Sequence, residues 1–398
     1  MTALETLRKD NLQAYYDLPE PNSKDPAWRF ANTRKYRLED PMPTTEADEA
    51  TLHHLQKEAR EFVPETSAQV TLLANGQLVA LENFNSDLGV ELSDEMLKPA
   101  STLGADKYQA LNIALSKQTL EIEIPANQEI EHPILITHWA TSGNAYPQVR
   151  INAQANSKAT VIELYLNVDD TTATRNNSAT RVYGLPGSNL TKLAIHHRNL
   201  LSTDIHLEHI RLERDAVLNN HNFILGSKSL RQETTLTIAG SGVDAHLSSL
   251  AIASGDQEID QRTRQLHLAP NSESRLLFKN ALQDNARTIF SGMIEVAENA
   301  QHTDAYQTNR NLLLDNSAEA NSLPGLEILA NDVKCSHGAT TGQIDPEQLY
   351  YMRTRGISQS RARKLLVYGF FEEILESIPQ CEVLNEQIRV WIEKQFHD

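Results

Sequence analysis

Polar and apolar residues alternate through the middle of the chain, and this pattern predicts β-strands. The alternation begins near residue 118, where Leu120, Ile122 and Ile124 take every second position. Asn, Asp, Gly and Ser clusters separate such runs at intervals of about ten residues. The strands are predicted at 134–139, 148–151, 160–166, 190–196, 204–212, 217–225, 233–238, 244–253, 262–268, 274–280, 287–291 and 294–296. No long helical pattern interrupts them, which argues against a βαβ fold.

This rhythm of short strands is typical of β-sandwiches, barrels and β-helices. Strand spacing alone does not distinguish a β-sandwich from a parallel β-helix. The chain has no strict short repeat, which disfavours a regular solenoid. The residues therefore predict a mainly β core and leave its architecture open.

Both ends of the chain show helical patterns instead. Asp345 followed by Pro346 predicts a helix start, Gly356 predicts its end, and Ser358 predicts the start of the next helix. Apolar spacing predicts further helices at 3–16, 47–62, 107–116 and 383–396. We accordingly predict an N-terminal helical or irregular region at 1–116, a β core at 117–335 and a C-terminal helical domain at 336–398.

The predicted C-terminal helices carry both cations and aromatic residues. The cations are Arg353, Arg355, Arg361 and Arg363, and the aromatic residues include Tyr368, Phe370 and Phe371. Three short helices cannot bury so much aromatic surface by themselves, so this surface packs on the β core or binds a partner. The cations alone are equally consistent with a solvated helix face.

Composition narrows the possible functions. The 398 residues carry a net charge of −17, which disfavours nucleic acid as a partner. No apolar run reaches about 18 residues and no signal peptide is recognisable, so we expect a cytoplasmic protein that does not enter membranes. Gly240 and Gly242 form no phosphate-binding loop, so we expect no ATP hydrolysis by this chain.

Cysteine and histidine supply one candidate site. The two cysteines are too few for a disulfide framework or a four-thiolate metal site. Cys335 and His337 are two residues apart, so on an extended chain both side chains point to one face. Thiolate and imidazole suit iron or zinc, but two ligands are too few to close a site. The missing ligands would have to come from another chain or from sulfide.

The other histidine pairs are poorer candidates. His196 and His197 are adjacent, and His206 and His209 are three apart, so each pair points to opposite faces of a strand. We assign them surface or structural roles. Asp256 and Asp260 could form the paired carboxylates of a carbohydrate-active β-helix enzyme, although their segment has the character of a turn.

Several ordered motifs resemble the SufB/SufD family of iron–sulfur cluster assembly scaffolds. They lie at 255–263 (Gly-Asp-Gln-Glu-Ile-Asp-Gln-Arg-Thr), 269–275, 304–314, 333–342 and 353–357. Where SufB-type chains carry a cysteine, this chain has the run from Ala318 to Asn321. Where they have His-Glu-Ala-Thr, it has His337-Gly338-Ala339-Thr340, and both differences resemble SufD. One departure is Gly325, where the family usually has glutamate.

The resemblance implies a right-handed parallel β-helix with helical ends and no catalytic activity of its own. It implies a complex with SufB, through the β-helix edges, and with the ATPase SufC, through the C-terminal helices. An iron–sulfur cluster would form transiently at the SufB interface, with His337 preferred to Cys335 as a ligand. The alternative is a purely structural subunit without a metal ligand. The isolated chain could also form a homodimer.

Overall fold

The computed structural model describes residues 2–37, 42, 47–59, 69–82, 88–378 and 382–395. The predicted helical residues 60–62 and 396, and Cys381, lie outside the described residues. The helices are α1 (Ala3–Asp17), α2 (Glu49–Ala59), α3 (Asp106–Leu115), α4 (Pro346–Thr354), α5 (Gln359–Leu375) and α6 (Glu382–Lys394), with 3₁₀ turns at Pro26–Trp28 and Thr33–Tyr36.

The strands make up most of the rest. They are β1 (Gln69–Ala74), β2 (Gln77–Glu82), β3 (Gly89–Ser93), β4 (Thr119–Ile124), β5 (Ile134–Ala140), β6 (Gly143–Ala145), β7 (Gln148–Ala153), β8 (Lys158–Asn167), β9 (Thr174–Gly184), β10 (Asn189–His197), β11 (Thr203–Leu212), β12 (Val217–Ile224), β13 (Ser229–Ile238), β14 (Asp244–Ala253), β15 (Glu258–His267), β16 (Glu273–Leu282), β17 (Arg287–Val296), β18 (Asp304–Leu313), β19 (Glu319–Ile328) and β20 (Lys334–Gln343).

The strands stack into a parallel β-solenoid, which decides between the sandwich and the β-helix. Sheet A runs β2-β1-β5-β8-β10-β12-β14-β16-β18-β20, and sheet B runs β19-β17-β15-β13-β11-β9-β7-β4-β3. From β7 onward, successive strands alternate between the two sheets. Among the described strands, β1–β2 and β3–β4 are antiparallel and the other pairs are parallel. A mainly β parallel β-helix with helices near both ends is thus confirmed.

The turns of the solenoid are long and unequal. One turn takes 27 residues from Val217 to Asp244 and 31 residues from Glu273 to Asp304. Strand register is kept while the loops vary in length, so no short repeat is visible in the sequence.

The boundaries of the solenoid differ from the predicted ones. Strands β1, β2 and β3 precede residue 117, although the sequence predicts a helical or irregular region at 1–116. β20 continues past residue 335 to Gln343, so the predicted boundary falls inside a strand. The solenoid continues because residues 334–343 pair in unbroken register with β18.

The outer face of sheet A is covered by the C-terminal helices. Val367 and Phe371 of α5 and Ile388 and Ile392 of α6 are fully buried there. They pack against strand residues that include Ile195, Phe223, Leu250 and Ala281. The C-terminal aromatic surface therefore packs on the β core to a large extent. Among the described residues, no helix is long and apolar enough to cross a membrane.

The N-terminal segment covers part of the outer face of sheet B. Trp28 is buried, donates from Nε1 to the Gly104 carbonyl at 2.8 Å, and stacks 3.7 Å from the Arg231 guanidinium. Arg231 Nη1 lies 2.6 Å from Asp260 Oδ2, and Arg262 Nε lies 2.6 Å from Asp260 Oδ1. Asp260 is therefore an anchor within the fold, held by two arginines, and is not placed to act as an acid or base.

The interior of the solenoid contains a buried ionic cluster. Lys192 Nζ lies 2.9 Å from both Glu163 Oε2 and Glu208 Oε1, and all three side chains are completely buried. Tyr165 donates to Glu163 Oε1 at 3.0 Å, and His138 Nε2 lies 3.1 Å from the same oxygen. Burial opposes the charge of Glu163, but Lys192 and His138 hold the pKa of Glu163 well below its ordinary value.

Candidate functional site at the open end of the solenoid

The last turn of the solenoid leaves one edge of each sheet without a neighbour. β20 ends sheet A and β19 ends sheet B, and among the described residues they pair only with β18 and β17, respectively. An unpaired edge presents a row of N–H and C=O groups that can pair with another chain. We call β19 and β20 the open end.

The open end is also more exposed than the turn before it. β17 and β18 bury nearly every second residue, whereas neither β19 nor β20 contains a buried residue. Leu326 and Ile328 are in register with Ile294 and Val296, which are buried one turn earlier. Leu326 is 36% exposed, Ile328 38% and the following Leu329 62%. An exposed apolar end of a packed core is characteristic of an interaction surface.

His337 lies in the middle of this end. It pairs with Gln307 of β18, whose side chain is buried inside the solenoid and donates to the carbonyls of Gly292 and Gly325 at 3.2 and 3.1 Å. Residues in register on parallel strands point to the same side of the sheet. His337 therefore faces the same way as Gln307, but it is exposed because no further turn covers it.

Cys335 has a different environment on the same strand face. It pairs with the buried Ala305 and is half-buried against the apolar cluster that includes Ile294 and Val296. Burial raises the pKa of the Cys335 thiol, which favours its protonated form. A protonated thiol is a poor metal ligand, since the thiolate is the form that binds.

β20 is held in place by polar side chains inside the solenoid. Asn280 Nδ2 donates to Asn311 Oδ1 at 2.7 Å, and Asn311 Nδ2 donates to Thr341 Oγ1 at 3.3 Å. Ser322 of β19 donates to Asn309 at 2.6 Å. These contacts join β19 and β20 to the preceding turns and so position His337 on an ordered strand.

The part of the chain that the structure describes does not assemble a complete metal site around His337. Within the described residues, no group of three or more histidine, cysteine, aspartate or glutamate side chains could hold a metal ion. The structure brings Cys335 and His337 onto one strand but supplies no third ligand there. Their two-residue spacing identifies Cys335 and His337 in the sequence. The exposed Leu326, Ile328 and Leu329 carry no such signal, because strands 304–313 and 319–328 are not among those predicted.

The C-terminal basic residues lie mostly on an exposed surface. Arg353, Arg355 and Arg361 are exposed, and Arg355 packs over Tyr351 at 5.2 Å from its ring centre. Arg363 differs, since its guanidinium donates to the Leu314 carbonyl and lies 3.4 Å from Asp315. Arg363 thus fastens α5 to the solenoid.

The predicted partner-binding aromatic residues need correction. Phe371 is completely buried against sheet A and cannot contact a partner in this arrangement. Phe370 is half-buried beside Lys279, whose Nζ donates to the Phe370 carbonyl at 2.9 Å. Tyr368 is also half-buried and donates to the Arg389 carbonyl at 2.9 Å. Burying these rings stabilises α5 and α6 on the solenoid, which is why they are not left on the surface.

The exposed aromatic residues lie instead on α4. No residue of α4 is buried, Tyr350 is 70% exposed and Tyr351 59%. Leu365 of α5 is also largely exposed. We call Tyr350, Tyr351, Arg355, Arg361 and Leu365 the α4–α5 surface. The run from Leu349 to Met352 could have indicated it, since four consecutive apolar or aromatic residues on a helix cannot all face one core.

Comparison with known proteins gives one matching family. The family described as "SUF system FeS cluster assembly, SufBD core domain" matches residues 136–370, from β5 into α5. The matched region therefore contains nearly all of the parallel solenoid, including the open end.

The chain is also similar to several curated proteins. It is 31% identical over 333 residues to the iron-sulfur cluster assembly protein SufD of Escherichia coli (strain K12), covering 81% of this chain and 78% of that protein. It is 24% identical over 417 residues to SufD of Bacillus subtilis (strain 168), covering 98% and 94%. It is 24% identical over 408 residues to the chloroplastic protein ABCI7 of Arabidopsis thaliana, covering 96% and 84%.

Proposed function

The chain belongs to the SufBD core family of iron–sulfur cluster assembly proteins, and we propose that it is the SufD-type scaffold subunit of a SufBCD complex. In this role it carries out no catalysis itself. It provides one side of the interface where a cluster is built and a docking surface for the ATPase. The observation that carries this proposal is the exposed open end formed by β19 and β20.

The open end supports a partner with the same architecture. A SufB β-helix would place its own terminal strands beside β19 and β20, satisfying their unpaired backbone groups. Leu326, Ile328 and Leu329 would be buried in the same contact, which would supply the apolar core of the interface. In the absence of SufB, a second copy of this chain could cover the same edges as a homodimer.

The cluster is the cargo of this interface. We propose that His337 supplies one imidazole ligand and that a SufB cysteine and sulfide supply others, because the described residues of this chain offer no third ligand beside it. Cys335 is the weaker candidate, since burial favours its thiol form. A single imidazole at the border between two chains is a labile ligand, which suits a cluster that must be handed on. On the alternative proposal, His337 only packs in the interface.

Replacing His337 with alanine tests the ligand role. We expect His337→Ala to lower cluster assembly at least about tenfold, since even outer-shell changes at metal sites cost about 10–100-fold. The measurement is complementation of a host lacking its own copy under iron limitation, together with iron–sulfur absorption of the reconstituted complex. Ser336→Ala is the matched control, because Ser336 is exposed on the other face of the same strand.

Two outcomes would separate the alternatives. Normal assembly by His337→Ala under iron limitation would exclude the ligand role. If His337→Ala instead lost SufB in co-purification, the purely structural role of this residue would be favoured.

We propose that the α4–α5 surface docks SufC. Tyrosine and arginine are enriched among the residues that dominate binding energies, and this surface exposes both. The double change Arg355→Glu/Arg361→Glu is expected to weaken SufC co-purification about tenfold or more without lowering the thermal unfolding midpoint.

Two other arginines, Arg214 and Arg363, serve as controls for the SufC-docking variant. Arg214→Glu changes a 72% exposed side chain on the solenoid and should leave SufC binding intact. Arg363→Glu should lower the unfolding midpoint, because it breaks the contacts to Leu314 and Asp315. Retention of SufC at full stoichiometry by the Arg355/Arg361 variant would exclude this docking surface.

A further inference from the structure

A basic cavity lies at the start of three neighbouring strands of sheet B, far along the chain from the open end. Its volume is about 430 Å³, and small-molecule sites typically measure about 300–1,000 Å³. The lining residues come from the 3₁₀ turn Thr33–Tyr36, from β6, and from the beginnings of β9, β11 and β13. They are Arg34, Lys35, Gly143, Asn144, Ala173, Thr174, Arg175, Leu201, Thr203, Lys228 and Ser229.

The charge of this cavity is opposite to that of the chain as a whole. Arg34, Lys35, Arg175 and Lys228 line it, whereas none of its described lining residues carries a carboxylate. The whole chain has a net charge of −17. Within the described residues, none of these four cations forms a salt bridge. Four like charges at one cavity repel each other, and an anion would relieve that repulsion.

Some donors of these cations already form hydrogen bonds, and others remain available. Lys35 Nζ donates to the Asp256 carbonyl at 2.9 Å, and Arg175 Nη1 donates to the Arg37 carbonyl at 2.8 Å. Burial lowers the pKa of Lys35. The carboxylates of Glu258 and Asp256 act against this shift, whereas the charge of Lys228 adds to it. A guanidinium has five N–H donors, so one bond to a carbonyl leaves Arg175 able to bind an anion.

A buried hydroxyl in the cavity wall is the second observation. Ser229 is completely buried, and its Oγ has no hydrogen-bond partner. An unsatisfied buried hydroxyl costs free energy, which a ligand oxygen would recover. Leu201 forms another part of the lining and is 46% exposed, so it offers apolar contact to the uncharged part of a ligand.

We propose that this cavity binds a small phosphate ester. The phosphate would lie between Arg34, Arg175 and Lys228 with Ser229 as a hydroxyl donor, and the organic part would lie against Leu201. Such a ligand would join the N-terminal segment to strands β9, β11 and β13. This site is separate from the open end and from the α4–α5 surface, and it does not depend on the proposed function.

Calorimetric titration of the full chain with AMP and with inorganic pyrophosphate tests the proposal. We expect saturable binding of AMP at low ionic strength that weakens with added salt. Arg34→Gln/Lys228→Gln should weaken binding at least about tenfold, since two charge-assisted hydrogen bonds are lost. Lys9→Gln/Lys24→Gln removes the same charge from exposed positions outside the cavity and should bind as the unchanged protein does.

Ser229→Ala gives an independent measurement. Because Ser229 Oγ has no partner, this change should not lower the unfolding midpoint, but it should weaken AMP binding. AMP should also slow amide hydrogen exchange of residues 33–37. The proposal is overturned if AMP does not bind the unchanged protein below about 1 mM, if pyrophosphate binds and AMP does not, or if the Arg34/Lys228 variant binds AMP equally well.

Discussion

Replacing Lys192 with methionine is expected to destabilise the protein by about 3–5 kcal/mol, because it removes the cation of a buried ion cluster and leaves the carboxylates in place. Lys192 is the cation between Glu163 and Glu208, both completely buried. Burial disfavours its charge, but the two carboxylates outweigh this and hold the pKa of Lys192 above its ordinary value. Without it, two buried carboxylates face each other with only neutral hydrogen-bond donors for support.

Chemical denaturation at pH 7.5 would measure this effect. Lys158→Met is the matched control, since Lys158 pairs with Glu129 on the surface and such exposed pairs contribute about 0–1 kcal/mol. The triple change Glu163→Gln/Lys192→Met/Glu208→Gln should recover most of the lost stability, because it removes the unpaired charges as well. A denaturation midpoint of Lys192→Met close to that of the unchanged protein would contradict the prediction.

Mild acid is expected to unfold the protein at a pH well above the pKa values of its carboxylates. Burial lowers the pKa of seven histidines, namely His138, His196, His197, His206, His209, His221 and His267. For His197, His206, His221 and His267 the value falls to about 4. In the unfolded chain a histidine has a pKa of about 6.5.

The sign of the effect follows from proton binding. Between about pH 6.5 and 4 the unfolded chain binds protons that these buried histidines do not, so stability falls as the pH falls. Each such histidine contributes about 1.4 kcal/mol per pH unit in this window. From pH 7 to 5 four of them would together cost on the order of 8 kcal/mol, which is comparable with the total stability of a typical domain.

Urea denaturation midpoints at several pH values would measure this dependence. His267→Gln should make the decline shallower by about 1.4 kcal/mol per pH unit, because His267 is completely buried beside Ser274. His132→Gln, at an exposed position, should leave the slope unchanged. Equal urea midpoints at pH 7.5 and pH 5 would refute the prediction.

The helices and most strands could be predicted because their signals are local. Asp345 caps α4 by accepting from the Glu347 N–H at 2.8 Å, Ser358 caps α5, and Gly356 has a positive φ of 83° at the end between them. β9 could not be predicted in the same way. Its run Thr-Arg-Asn-Asn-Ser-Ala-Thr-Arg-Val-Tyr-Gly is mostly polar, yet most of it is buried. Its polar residues face a polar interior or α3, so hydrophobic alternation is lost.

The sequence could also identify His337 but not its setting. Two-residue spacing predicts that Cys335 and His337 share a face, and the structure places both on β20. Only strand stacking shows that β20 is at the exposed end of the solenoid, together with Leu326 and Ile328 of β19. In the same way, only helix packing shows that Phe371 is buried while Tyr350 and Tyr351 are exposed.

The sequence by itself determined the β-rich middle, the helical ends, the caps and the family, because these depend on residues close together in the chain or in ordered motifs. The tertiary structure decided the solenoid stacking, the Lys192 cluster, the basic cavity and the exposure of each site residue. These depend on residues about 30 positions apart meeting in successive turns. Loops of unequal length determine this separation along the chain, so it cannot be predicted from any local sequence pattern.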